Sequence, residues 1–344
     1  MSDLFPDSTC KLVEDACPSI AFRIRSEVLG QPGSSEKMVE LHAQILQDPI
    51  VLDVLNWRQA DGWLGWDFHG TKGIEAGIRI LCEKGVQHNH PVLADALNAL
   101  EKYTERLDRG IVKVGRLVDE MGLGGPLLIR ATVFAYAGIE DKTFVQEQIE
   151  KALVAFAFVS PQNSIADIAE EYRGKLVFKP SVQWPSIYHL RLLAFTRRWR
   201  TEKNRMLIAK AVRRLIELSP LPDIYIRNKS QLIAPASFCM HNFNLEMDQM
   251  DDAHWMMWFH RMECLARLGI VSLVPELQAQ VSTMKAMLDV KGFFIKKLTH
   301  PYFSKWGAYS GLMLEPDWRT QKNRVYDLTF RSKLILHYAE NEVA

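Results

Sequence analysis

Apolar residues recur at intervals of three and four in six stretches of the chain. Each stretch ends in a small residue or a basic substitute for one: PSIAFRIRSEVLG (18 to 30), GIEAGIRILCEKG (73 to 85), PLLIRATVFAYAG (126 to 138), PSIYHLRLLAFTR (185 to 197), MMWFHRMECLARLG (256 to 269) and DLTFRSKLILHYA (327 to 339). That spacing lays an apolar stripe along a helix, and a terminal glycine takes the left-handed conformation that closes one. The last residues, Gly30, Gly85, Gly138, Arg197, Gly269 and Ala339, lie 55, 53, 59, 72 and 70 positions apart. Six units are therefore predicted. The residues between hold a second helix: SSEKMVELHAQILQD (34 to 48), with Ser34 or Ser35 as N-cap; HPVLADALNALEKY (90 to 103), with Pro91 in the first turn; and EKNRMLIAKAVRRLIEL (202 to 218). Sustained period-two alternation is absent, so the expectation is one all-α domain over residues 1–344.

Paired helices stack either as an open superhelix or as a closed ring. Open repeats of the HEAT kind run about 40 to 47 residues, shorter than these intervals, so the spacing favours a closed double ring, an (α/α)6 toroid, over an open HEAT-like array. Loops before three of the recurrent helices are rich in aromatic residues: WRQADGWLGWDFHGTKGIE (57 to 75), GKLVFKPSVQWPS (174 to 186) and GFFIKKLTHPYFSKWGAYSGLMLEPDW (292 to 318). In a closed ring such loops converge at one end. The expectation is a central funnel lined by Trp63, Trp66, Phe68, Trp184, Trp255, Trp306 and Tyr309, an apolar small-molecule site with polar chemistry from Asp67, His69, Asp251, Asp252 and His254. The competing reading of the same aromatics is that they plug one end of the ring.

The segment Q59ADGWLGW resembles the QW-type turn of squalene and hopene cyclases and of protein prenyltransferase β subunits, families built on the six-hairpin toroid. The resemblance implies that fold and an isoprenoid-like ligand. It also implies chemistry that this chain matches incompletely. The cyclase acid is D-x-D-D, whereas E246MDQMDDAH places Asp248, Asp251 and Asp252 as D-x-x-D-D with Gln249 between; Trp255 stands where a D-D-x-x-D magnesium motif ends. The acidic group opens the fifth recurrent helix, where Asp252 is a candidate cap. The prenyltransferase zinc set, Asp-x-Cys and a later His, corresponds to Asp15, Cys17 and His69. His260 and Cys264, four apart, form a second metal-capable pair on one helical face.

Composition narrows the function classes. Forty-two Lys and Arg against 41 Asp and Glu give a formal net charge of +1, which supplies no general attraction to nucleic acid. Five cysteines, Cys10, Cys17, Cys82, Cys239 and Cys264, are scattered and odd in number, as expected of a cytoplasmic chain rather than a disulfide framework. No leader pattern and no membrane-spanning run is found. P-loop, G-x-S-x-G, H-E-x-x-H and dinucleotide fingerprints are absent; G122LGGP lacks the Lys-Ser/Thr of a P-loop. Two further readings remain: a non-catalytic scaffold binding a peptide or protein, and a glycan-active toroid with Asp61 or Asp67 opposed to Asp251 or Asp252.

Overall fold

The computed structural model of the chain describes residues 6–108, 114–298 and 313–341. The first half runs α1 (Pro6–Asp15), α2 (Pro18–Arg23) prolonged by a π turn over Ile24–Val28, α3 (Glu36–Ile45), α4 (Pro49–Leu55), α5 (Ile74–Lys84), α6 (Pro91–Lys102) and α7 (Gly115–Glu120). It continues with α8 (Pro126–Tyr136), α9 (Thr143–Val159), α10 (Ile165–Ile168), β1 (Ala169–Tyr172) and β2 (Lys175–Phe178). The remainder comprises α11 (Ile187–Ala194), α12 (Glu202–Leu218), β3 (Ile224–Asn228), β4 (Gln231–Ile233), α13 (Asp252–Arg267), α14 (Pro275–Ala286) and α15 (Gln321–Glu340). All six recurrent stretches are helical, as α2, α5, α8, α11, α13 and α15. Gly85 ends α5 at φ +97°, and Gly138 and Gly269 follow α8 and α13 with the same left-handed backbone. α11, which lacks a terminal glycine, stops at Ala194, short of Arg197.

Recurrent helices pack on one another in sequence: α2 on α5, α5 on α8, α8 on α11, α11 on α13 and α13 on α15. α15 then packs on the π turn that continues α2. Intervening helices lie against these, α3 on α2, α6 on α5, α9 on α8 and α11, and α14 on α15, whereas α12 packs on α9. Apolar side chains such as Ile78, Leu81, Phe134, Leu190, Trp258 and Leu334 are buried at 1% exposure or less between the two sets. Because α5 and α13 are covered nearly all round, their charged residues are buried as well, among them Glu75, Arg79, Arg261 and Arg267. Among the described residues no helix is long and apolar enough to cross a membrane.

The chain is helix-rich but not all-α, which corrects the sequence expectation. A four-stranded sheet, in the order β1-β2-β3-β4, is made of two antiparallel hairpins joined by a parallel β2–β3 pairing that sets Leu176 opposite Ile224. Strands of three to five residues are too short to show sustained alternation. The local signal was the turn: Arg173 and Gly174 adopt φ +52° and +72° between EEY and KLVF, the two-residue hairpin geometry that matches strand twist.

The aromatic stretch before α5 is a turn closed by an antiparallel bridge, Arg58 to Leu64, with Gln59 N–H donating to Trp63 O at 2.8 Å and Gly62 N–H to Gln59 O at 3.0 Å. The chain builds the same turn again before α15. Leu288 bridges Phe294, Asp289 N–H donates to Phe293 O at 2.9 Å, and Gly292 N–H to Asp289 O at 2.9 Å. In both copies an aspartate oxygen accepts from the backbone of the aromatic residue, Asp61 from Trp63 at 3.0 Å and Asp289 from Phe293 at 2.8 Å.

Candidate functional site

Helical spacing of three, four and seven runs through polar residues of the recurrent helices as well as apolar ones. On α5 these are Arg79, Cys82 and Glu83; on α13, His260, Glu263, Cys264 and Arg267; on α15, Arg331 and Tyr338; on α2 and its π turn, Arg23 and Glu27. All of them line one cavity of about 510 Å³, together with Tyr136 of α8, Ala194 of α11, and Arg197 and Arg200 just beyond it. Every recurrent helix thus contributes to one chamber. Its charged lining is six arginines against four glutamates, with Glu140 as the fourth, and its apolar wall includes Phe195, Leu314 and Phe330.

Three of the glutamates are already held by arginines. Arg23 Nε donates to Glu27 at 2.6 Å, Arg79 Nε to Glu83 at 2.6 Å, and Arg267 reaches Glu27 at 2.5 Å and Glu263 at 2.9 Å. Tyr338 completes the knot, accepting from Arg267 at 2.9 Å and donating to Glu27 at 2.9 Å. Burial favours a neutral Glu27, yet Arg23 and Arg267 overcome it and hold the carboxyl far below its ordinary value. Glu140 accepts from the backbone N–H groups of Arg197 (2.6 Å) and Arg198 (3.3 Å).

Positive potential remains. Arg200 donates from Nη2 to Ala194 O at 3.1 Å, while its Nε and Nη1 are buried without a hydrogen-bond partner among the described residues. Burial, then the neighbouring charges of Arg197 and Arg267, push its guanidinium down to about 10. His260 reports the same field: burial first, then Arg191, Arg79 and Arg331, hold it well below its ordinary value and therefore neutral. Its Nε2 accepts from Arg191 Nε at 3.0 Å, which leaves the ring proton on Nδ1. Arg191 is fully buried, stacked on Tyr188 at 5.1 Å and Phe238 at 5.4 Å. The thiols and the Tyr136 phenol of the lining stay protonated, because burial raises Cys82, Cys264 and Tyr136 each to about 12. The Tyr136 hydroxyl, also buried, has no hydrogen-bond partner among the described residues.

Among the described residues, those expected to line one aromatic funnel are divided between the core and a separate pocket. Trp255 is fully buried in a solid cluster with Trp258, Phe259 and Phe294, ring centroids 5.5, 5.7 and 5.6 Å away, and Trp184 is buried elsewhere in the core. Trp63 and Phe68 are buried too. Trp66 is instead 84% exposed, and it shares a separate pocket of about 530 Å³ with Trp63, Asp67 and Phe68. Trp306 and Tyr309 lie outside the described residues.

The polar candidates are likewise dispersed. Asp251, not Asp252, caps α13, accepting from His254 N–H at 2.8 Å and from the His254 ring at 2.7 Å, on an exposed surface. Asp15 pairs with Lys11 at 3.3 Å, and Cys17 is buried with Sγ donating to Leu314 O at 3.1 Å. Burial, reinforced by Glu315 and Asp327, drives the Cys17 thiol strongly upward. His69 Nδ1 is bonded to Glu75, which also accepts from Tyr188 OH at 2.7 Å. The Glu75 bond raises His69 above its ordinary value. Asp15, Cys17 and His69 thus have separate partners, and no group of three or more His, Cys, Asp or Glu among the described residues is arranged to hold a metal ion.

His260 and Cys264, singled out as a pair, do reach the cavity, but facing arginines rather than a further ligand. Apart from Arg197 and Arg200, which belong to a basic run that reads as a solvated helix face, the lining arginines fall singly on separate helices, so no local pattern marks them as a group. No family model, curated protein or solved structure matches this chain.

Proposed function

We infer that the chain is a closed (α/α)6 toroid that binds a small organic anion in its central cavity. The ring reading is supported by the order of helix contacts, in which the sixth recurrent helix returns to the first. An open array has no such contact. The observation that carries the ligand class is the lining: six arginines against four glutamates, with two buried Arg200 donors unsatisfied. Buried donors without partners are costly, and an anion supplies both acceptors and charge. The volume falls within the roughly 300–1,000 Å³ range of small-molecule sites.

Phe195, Leu314 and Phe330 give the ligand an apolar wall. An anion with a hydrocarbon part, including a diphosphate of the isoprenoid-like class, therefore satisfies the chamber, whereas an uncharged hydrocarbon leaves the guanidiniums unmatched. Recognition rather than acid–base turnover is what these groups supply. His260 is held neutral while Tyr136 and the two thiols stay protonated, so none is poised near neutral pH as a proton-transfer group must be.

Thermal unfolding with citrate, inorganic phosphate and geranyl diphosphate, each against chloride of matched ionic strength, tests this reading. At an excess of about a hundredfold over Kd, the best anion is expected to raise Tm by about 4 °C. That rise should vanish in the Arg200→Ala/Arg331→Ala variant. No anion-specific rise, or an unchanged rise in the variant, overturns the proposal.

A further inference from the structure

The turn that precedes α5 carries a feature its twin before α15 lacks. Counting from the bridging residues Arg58 and Leu288, Trp63 corresponds to Phe293 and Leu64 to Phe294, all packed inward to some degree. Trp66 corresponds to Lys296. The turn geometry therefore does not call for an aromatic at that position, yet the chain places an indole there at 84% exposure.

The support beneath it is stiff. Gly65 sits at φ +72°, its N–H donating to Trp57 O at 3.0 Å, and Trp66 N–H donates to Lys72 O at 3.2 Å. The Gln59 side chain donates to Gly65 O, and Arg106 lies over the Trp63 ring at 4.8 Å while pairing with Asp61. The indole thus stands on a fixed platform at the edge of a 530 Å³ pocket.

Charge around that pocket selects among ligands that stack on aromatics. Its cations are Arg58, Lys72 and Arg106; the nearby carboxylates are Asp61, Asp67 and Asp95. Arg58 pairs with Asp95 at 2.6 Å and Arg106 with Asp61, which leaves Lys72, whose ammonium lies 5.9 Å from the Trp57 ring centroid, and Asp67 outside these two ion pairs. Among the described residues that line the pocket or pair with its lining, three cations stand against three carboxylates, a balance that favours neither a phosphate nor a quaternary ammonium. A neutral polyol with an apolar C–H face matches an exposed indole flanked by one donor and one acceptor.

We propose that the Trp66 pocket is a saccharide-binding site, in which a pyranose ring stacks on the Trp66 indole and its hydroxyls bond Asp67 and Lys72. The site is separate from the central cavity and does not depend on its ligand.

The test titrates the full chain with maltotriose, cellotriose, chitotriose and xylotriose while following tryptophan indole N–H resonances by NMR. One sugar is expected to shift the Trp66 indole signal saturably below about 10 mM. Affinity should fall about tenfold or more in Trp66→Ala and less in Trp66→Phe. Because the indole is exposed, both variants should keep the parent Tm, so a loss of binding is not a loss of fold. If no trisaccharide shifts Trp66, if Trp66→Ala binds equally well, or if adenosine monophosphate or choline titrates the site instead, the proposal is overturned.

Discussion

Single residues in this protein are constrained by what their neighbours leave open. At Gly65 a Cβ would lie 1.8 Å from Lys72 O, on a backbone already at φ +72°. Gly65→Ala must therefore both strain its own dihedral and displace a carbonyl engaged by Trp66 N–H. The expected loss is about 3 kcal/mol of unfolding free energy, measured by urea denaturation; parent-like stability would show that the turn yields freely. Clusters such as DGWLG, with turn formers beside large aromatics, reveal a turn in the sequence, but not which indole is buried. Trp63 and Trp66 are three apart and of identical chemistry, yet one is buried and the other exposed. Only the direction in which the turn presents each side chain separates them.

At the scale of elements, the recurrent helices were legible because burial against a second layer demands apolar residues at helical intervals, and glycine ends them cheaply. The hairpins were not, because three to five residues give too little periodicity to distinguish a strand from a loop. The acidic group at the start of α13 shows how a terminal cluster serves the helix itself. His260, the first α13 residue in the cavity, lies nine positions after Asp251, about 13 Å of helical rise. Asp251→Ala is accordingly expected to cost about 1 kcal/mol through loss of the cap, while anion binding in the cavity stays at the parent level. A calorimetric titration in which this variant fails to bind would place the cap residue in the site.

For the whole molecule, the seam between first and last helices sets a dependence on pH. Cys17 N–H donates to Glu315 at 2.9 Å, and Lys84 Nζ donates to Leu314 O at 2.8 Å. Asp327 accepts from the backbone of Leu314 and Glu315 at 3.1 and 3.0 Å. Burial pushes Glu315 up to about 7, against the opposing Cys17 N–H bond and with the Asp327 charge adding to the rise. A folded value above the ordinary 4.5 means that the protonated form favours the fold. That contribution is complete below 4.5 and is lost as pH rises through about 7. Glu315→Gln keeps an acceptor for Cys17 N–H without the charge, so the decline in unfolding free energy between pH 5 and 8 should flatten, as followed by urea denaturation at each pH; an unaltered slope would assign it to other groups. By itself the sequence determined the helices, their sixfold recurrence and the glycine stops, since these follow from local dihedral preference and the period of burial. It did not determine which residues share a chamber. Arg23, Arg79, Arg200, Arg267 and Arg331 are far apart along the chain, and they meet only because successive helices pack side by side until α15 reaches the π turn that follows α2. Net charge, summed over the chain, hides a cavity whose charge comes from side chains gathered by tertiary packing.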